Sequence, residues 1–205
     1  MTTQELSAQL GKVQSTLQAD FPKWANYALG NSALEKIKGR IINSGAAAEG
    51  NFKPYSTRST LVGASSFRTK AQATAYFGTR GPKNKKSKAL EWRTVNTNKG
   101  YRSLAILPGG YKELRNLVGA ESGFKNFTWS GEMWFTIRTQ GTEPNGNLKW
   151  TTTVGSKTEL TNKKLEGNAK REGKEILELS KKEEGELLVV LNEYVANKLQ
   201  KVING

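Results

Sequence analysis

The chain has 205 residues, with 32 Lys or Arg against 18 Asp or Glu and a net charge of +14. It has no cysteine and no histidine, which excludes disulfides, thiolate metal sites and the side chain most used as general base and zinc ligand. Hydrophobic residues make up 36% and mean hydropathy is −0.62, so a modest core is expected, much surface is left for solvent or a partner, and the charge favours an acidic one.

The N-terminus is polar and amphipathic with no signal-peptide pattern, and no apolar run approaches the ~20 residues of a membrane span. The expectation is a protein made and folded in a cytoplasm. Residues 2–19 read as an amphipathic helix: Thr2 with Glu5 fits a capping box, and Leu6, Leu10, Val13 and Leu17 form one stripe. Asp20, Phe21 and Pro22 interrupt it. A second helical region runs from about 22 to 43, with a break expected at Gly30-Asn31, a new cap at Ser32 with Glu35, and Leu34, Ile37 and Ile41 on its apolar face.

The most unusual stretch is 51–110. It holds twelve cations and one acid, Glu91, so it carries +11 of the +14. Within it, 81–88 (GPKNKKSK) has no apolar residue and reads as a loop tip, flanked by short strands at 71–79 and 89–95 in an extended hairpin. Tyr76, Phe77, Trp92 and Tyr101 are interleaved with the charges. Basic residues with interleaved aromatics suit a nucleic-acid surface, by phosphate neutralisation and base stacking. A loop docking on an acidic protein, and a solvated loop, fit the same composition. Arg80, Lys83, Lys85, Lys86, Lys88, Arg93, Lys99 and Arg102 are the candidate nucleic-acid or partner contacts. No zinc-finger spacing or recognition-helix signature accompanies them, so base-specific reading is not expected.

Residues 110–122 read as a short helix or loop. Residues 127–137 (FTWSGEMWFTI) are the densest apolar segment; 124–129 reads as a strand, followed by the Ser130-Gly131 turn and a second strand. After the turn formers of 141–147, Leu148, Trp150, Thr152 and Val154 alternate over seven residues, and this strand is expected to pair with the previous one, tryptophan facing phenylalanine. Residues 158–178 are polar, with Gly167 and Gly173 as breaks. Ser180 with Glu183 is a second capping box, opening a helix whose stripe is Leu188, Leu191, Val195, Leu199 and Val202. The fold class that follows is α+β: a small antiparallel β-sheet packed by N-terminal helices and a C-terminal amphipathic helix, with a long basic insertion at about 57–107 that lacks a core of its own, in a single domain spanning 1–205.

The apparatus of catalysis is missing. There is no phosphate loop and no dinucleotide fingerprint. Ser130 before Gly131 lacks the preceding glycine of a nucleophile elbow. Glu132 has no second acid at fixed spacing and reads as a turn cap. The acids at 172–186 alternate with lysines as on a solvated face. No catalytic, cofactor-binding or metal-binding residue is assigned and no cofactor is expected. A nuclease using carboxylates and metal alone is the one enzymatic alternative.

The order of pieces resembles a family. GNFKPYS, GYKELRNLVG, NFTWSGEMWFTI, a strand ending in VGS, LEGNAKREGKEILELS and a closing amphipathic helix look like the tailed-phage neck and tail-completion proteins of the virion morphogenesis family. Ser130, Gly131 and Met133 match the family's Leu-Thr-Gly-x-Leu/Met turn, and Arg171, Leu177, Leu179 and Ser180 match its Arg-x-Phe-Leu-x-Leu-Ser stretch approximately. The histidine common before the glycine near 167 is absent, and the basic segment is longer than in compact members. The resemblance implies an α+β fold and a non-enzymatic, structural virion protein, assembled as a homo-oligomeric ring of twelve- or six-fold symmetry in the head-tail connector. Its partners would be portal, adaptor or tail proteins of the same virion, with possible non-specific contact with genomic DNA and no membrane. The alternative is a free, sequence-independent nucleic-acid-binding protein acting in packaging or recombination.

Overall fold

The computed structural model describes residues 2–77, 91–98, 100–128, 132–145 and 149–204. The loop tip 81–88 and the Ser130-Gly131 turn therefore lie outside the described residues. The architecture is α+β, with helices at both termini and two small antiparallel sheets. The chain divides into two compact units: Met1–Asn51 with Gly131–Gly205, and Phe52–Ser130.

The first unit opens with α1 (Thr3–Trp24), whose Thr2/Glu5 capping box is formed as the sequence predicts. The expected breaks at 20–22 and 30–31 do not occur. Pro22 sits inside α1, and the chain continues through a π-helical turn (Ala25–Leu29) directly into α2 (Gly30–Ser44). Proline lacks the N–H for an i→i−4 bond, and the widened turn restores bonding one register on: the Gly30 N–H reaches the Ala25 carbonyl. Leu34, Ile37 and Ile41 are buried on α2, as their spacing predicts. Each such side chain contributes about 1.5–3 kcal/mol.

Residues 132–137 are not the second half of a strand-turn-strand. Glu132–Thr136 form a single helical turn, α5, and β4 (Ile137–Pro144) starts only after it. Alternation would bury every second residue; here the adjacent Met133 and Trp134 are both buried and Phe135 is 71% exposed. Lys38 of α2 stabilises the junction, its Nζ donating to the Trp134 carbonyl at 2.7 Å and the Ile137 carbonyl at 3.3 Å. Glu132, read as a turn cap, is the first residue of α5. Phe124–Thr128 is not a strand either.

Strand β5 (Trp150–Ser156) pairs with β4 from Ile137↔Ser156 to Pro144↔Trp150, with an irregularity between Thr139 and Gly141. Trp150 thus faces a proline, and its ring lies 4.6 Å from Phe21 of α1. Phe21 continues to Trp24 at 5.8 Å, and Trp24 stacks on Tyr194 at 4.0 Å. The polar stretch 158–178 forms a helix, α6 (Glu159–Glu172), running through Gly167. It is held by Thr161 against Thr136 at 2.8 Å and by Asn162 donating to the Ser156 carbonyl at 2.9 Å. In α7 (Lys181–Asn204) the Ser180/Glu183 capping bonds are formed. Its inward side carries buried Glu183 and Leu187 and half-buried Leu191, Tyr194, Val195, Lys198 and Leu199, so the predicted stripe holds at Leu191, Val195 and Leu199, whereas Leu188 is 57% exposed.

The second unit has its own core, contrary to expectation. Strand β1 (Thr60–Val62) pairs with β3 (Gly100–Leu107), which pairs with β2 (Glu91–Thr97), in the order β1-β3-β2. Residues 70–77 are a helix, α3 (Lys70–Phe77), not a strand; Ala73, Tyr76 and Phe77 are buried at i, i+3 and i+4, and Thr69 Oγ1 caps the Gln72 N–H at 3.1 Å. With α4 (Gly110–Leu117), these elements enclose Val62, Phe67, Ala105, Leu107, Leu114 and Val118. Gly110 lies at φ +66°, and a Cβ there would meet the Arg58 carbonyl oxygen at 2.2 Å, so only glycine fits.

At Gly30, a Cβ would fall 2.6 Å from Thr139 Cγ2 and 2.9 Å from Thr152 Cγ2. The hairpin packs directly on the helix backbone there. Gly30→Ala therefore costs about 1–3 kcal/mol in urea unfolding despite alanine's better helix propensity; a stabilised variant would contradict this packing.

Glu183 accepts from the Ser180 N–H at 2.8 Å, the Ser180 hydroxyl at 2.9 Å and Arg40 Nε at 2.9 Å. Burial pushes its carboxyl up, but the Ser180 and Arg40 bonds outweigh burial and hold it below the usual range. A depressed carboxylate contributes stability above its unfolded pKa of about 4.3 and loses it as pH falls toward the folded value. Glu183→Gln, which keeps the cap, destabilises by about 1–2 kcal/mol at neutral pH. The gap to wild type narrows below about pH 4 in denaturation curves run across pH.

Candidate cationic interface

The second unit holds fifteen Lys or Arg and three Glu, a net +12, leaving the first unit only +2. The charge segregation read along the sequence is thus a segregation between compact bodies. Of the eight candidate contacts, Arg80, Lys83, Lys85, Lys86, Lys88 and Lys99 lie outside the described residues. Arg93 and Arg102 are described, and the sheet brings them together.

Strand β1 covers β3 only at Ala105–Leu107, so β2 and β3 run on as a two-stranded ribbon from Arg93↔Leu104 to Thr97↔Gly100. Five residue pairs span roughly 16 Å. Side chains alternate between faces, which puts Glu91, Arg93, Val95, Thr97, Arg102 and Leu104 on one face. Arg93 stands opposite Leu104 and Arg102 opposite Val95, so the two arginines are diagonal neighbours, with Cβ atoms about 7 Å apart. Both are exposed, Val95 and Leu104 are half-buried, and neither guanidinium makes a hydrogen bond or ion pair with the described residues.

The interleaved aromatics do not share that face. Trp92 pairs with Ala105 on the core face, its ring 5.4 Å from Phe77. Phe77 meets Tyr76 at 5.0 Å and Phe67 at 5.3 Å, edge-on in both cases. Three of the four rings that suggested base stacking are therefore core. Tyr101, 78% exposed, stands on the face opposite the two arginines.

A residue the sequence reading passed over anchors the unit. Arg115 of α4 is 1% exposed, and its guanidinium lies 4.3 Å from the centre of the Tyr55 ring. It donates to the Thr128 carbonyl at 2.7 Å, to Asn126 Oδ1 at 3.2 Å and to the Glu121 carbonyl. Asn126 Oδ1 also accepts from the Thr128 N–H at 3.1 Å and the Tyr55 hydroxyl at 3.2 Å. Burial pushes the Tyr55 hydroxyl above its ordinary pKa. The sequence signal was available: one arginine in an amphipathic turn, at the position after Leu114 and three before Val118.

Among the described residues, no group of three or more carboxylates, histidines or cysteines is placed to hold a metal ion, and no helix is long and apolar enough to cross a membrane. Compared with known proteins, the chain matches no family model, no curated protein and no solved structure.

Arg115→Ala leaves several buried oxygens without donors, at a cost of about 3 kcal/mol. Amide exchange of 104–107 in β3 should accelerate by on the order of 100-fold, while β5 amides keep their protection; uniform loss across both sheets would contradict a hub confined to this unit.

Proposed function

We propose that the chain is a structural virion protein of a tailed phage that assembles head-to-tail into a ring in the neck, where capsid joins tail. The motif order described above supports the family. One structural observation supports assembly: the apolar stripes of the terminal helices are only half used. On α1, Val13 is buried, but Leu6 and Leu10, two turns and one turn earlier on the same face, are 42% and 58% exposed. On α7, Leu188 and Val189 are each 57% exposed beside buried Leu187. These are two different apolar patches on one unit. A closed ring needs two unlike patches that fit each other, because each subunit meets its neighbours through opposite faces. Partner contact is also the ordinary reason for bare leucines in a row. The role assigned is scaffolding, not catalysis.

The test is the mass of the purified protein, alone and with neck components of its virion, by analytical ultracentrifugation and negative-stain microscopy. Discrete rings are the expected result. Leu6→Asp with Leu10→Asp should return monomers of unchanged circular dichroism, because burying two leucines is worth about 3–6 kcal/mol per interface. That is on the order of 100- to 10,000-fold in association. A wild type that stays monomeric under both conditions, or a variant that still forms rings, overturns the proposal.

A further inference from the structure

We propose that the β2–β3 ribbon binds the phosphate backbone of a nucleic-acid duplex, through Arg93 and Arg102, without reading or stacking on bases. Four observations carry it. The ribbon extends past β1, so both of its faces are open to solvent near its tip, as the exposed Tyr101, Arg102 and Ser103 show. The two guanidinia stand diagonally on one face with only Val95 and Leu104 between them; Glu91, on the same face, lies on the far side of Arg93. Among the described residues neither guanidinium has a hydrogen-bond or ion-pair partner, which leaves their donors to a ligand. The unit that carries them is +12, a field that suits a continuous polyanion.

The chemistry of those groups points to phosphate. A duplex presents one charge per ~1.7 Å of axis, so two guanidinia about 7 Å apart always find phosphates within reach, whatever the sequence. Guanidinium matches phosphate oxygens with paired donors. The aliphatic strip between the arginines offers no acceptor and no ring. A base has nothing to stack on there, because Trp92 is turned into the core and Tyr101 to the other face. Single-strand binding depends on such rings, so the face selects duplex over single strand. An acidic protein is the competing occupant. It is disfavoured because the face, with Glu91 beside Arg93 and Thr97 beside Arg102, forms no purely cationic pocket for a defined acidic peptide, whereas a continuous polyanion meets the field of the whole +12 unit.

The inference is independent of ring assembly, since its readout is salt-dependent binding and its residues lie outside the helix that carries Leu6 and Leu10. The experiment titrates the full chain against a short mixed-sequence DNA duplex, an RNA duplex, the matching single strand and polyglutamate. Fluorescence anisotropy is followed between about 50 and 200 mM salt. The expected result is tighter binding of duplex than of single strand, with no dependence on sequence. In Arg93→Ala/Arg102→Ala the slope of log affinity against log salt for DNA duplex should drop by about 1.8, two phosphate contacts at 0.9 each. Arg93→Lys/Arg102→Lys should restore the slope, since charge and not fold was removed. The RNA arm decides which duplex is preferred, and slope loss in either supports the ribbon. An unchanged slope overturns the proposal. So does a lysine variant that behaves like the alanine one, or single-strand preference abolished by Tyr101→Ala. Loss confined to polyglutamate would assign the face to an acidic protein and equally overturn it.

Discussion

The stacking of Trp24 on Tyr194, extended through Phe21 to Trp150, is the contact on which the first unit depends. It joins three elements remote in sequence: the N-terminal helix, the second strand of the hairpin and the C-terminal helix. Aromatic rings bury large areas, and their pairing adds about 0.5–1.5 kcal/mol beyond that area. Asp20 and Lys198 form an ion pair one turn away on the same two helices; it keeps the Asp20 carboxyl below its usual range but, being exposed, fixes position more than it adds stability. Because the stack lies near the end of α1, the earlier turns of that helix are left to present their leucines outward. The half-used stripe is thus a consequence of where the aromatics fall.

The second unit solves a different problem. A body with +12 repels itself, and its core must be assembled around that charge. Among the described residues it does so by keeping most cations on the surface and burying one, Arg115, whose charge is met by carbonyl dipoles and the face of Tyr55. The same guanidinium draws in 121–128, a segment with no regular secondary structure. A cation that satisfies backbone oxygens does the work a strand would otherwise do by ladder bonding.

What was legible in the sequence was what local chemistry decides. Thr2/Glu5 and Ser180/Glu183 announce helix starts because capping bonds span three residues and need no distant partner. Leu34, Ile37 and Ile41, and the alternation from Trp150 to Val154, follow from periodicity. The failures share a cause in distant contacts. The run at 132–137 is rich in β-favouring residues, yet Lys38, almost a hundred positions away, ties up the carbonyls of a helical turn there. Pro22 and Gly30 look like breaks, but a π-turn absorbs the first and the close approach of Thr139 and Thr152 explains the second. Leu188 fits the helical stripe but is exposed, because the first turns of α7 bury Glu183 and Leu187 instead, while Leu191, Val195 and Leu199 stay on the inward side. The basic stretch hid its core because Phe67, Tyr76, Phe77 and Trp92 are spaced among charges, and composition cannot tell a ring that stacks on a base from one that packs on its neighbour.

The ring of Phe52, first residue of the second unit, lies edge-on to that of Phe127, near its last, at 4.9 Å. Phe127 takes a positive φ of 54°, unusual for an aromatic residue, to reach it. A body whose first residue packs against one so close to its last in sequence is a cassette. Bridging two adjacent ends with a short linker costs little chain entropy, so the cationic unit can be cut out, transplanted into another host loop or permuted. Such a topology lets a lineage gain, lose or exchange a strongly basic module without redrawing the helical frame that accepts it.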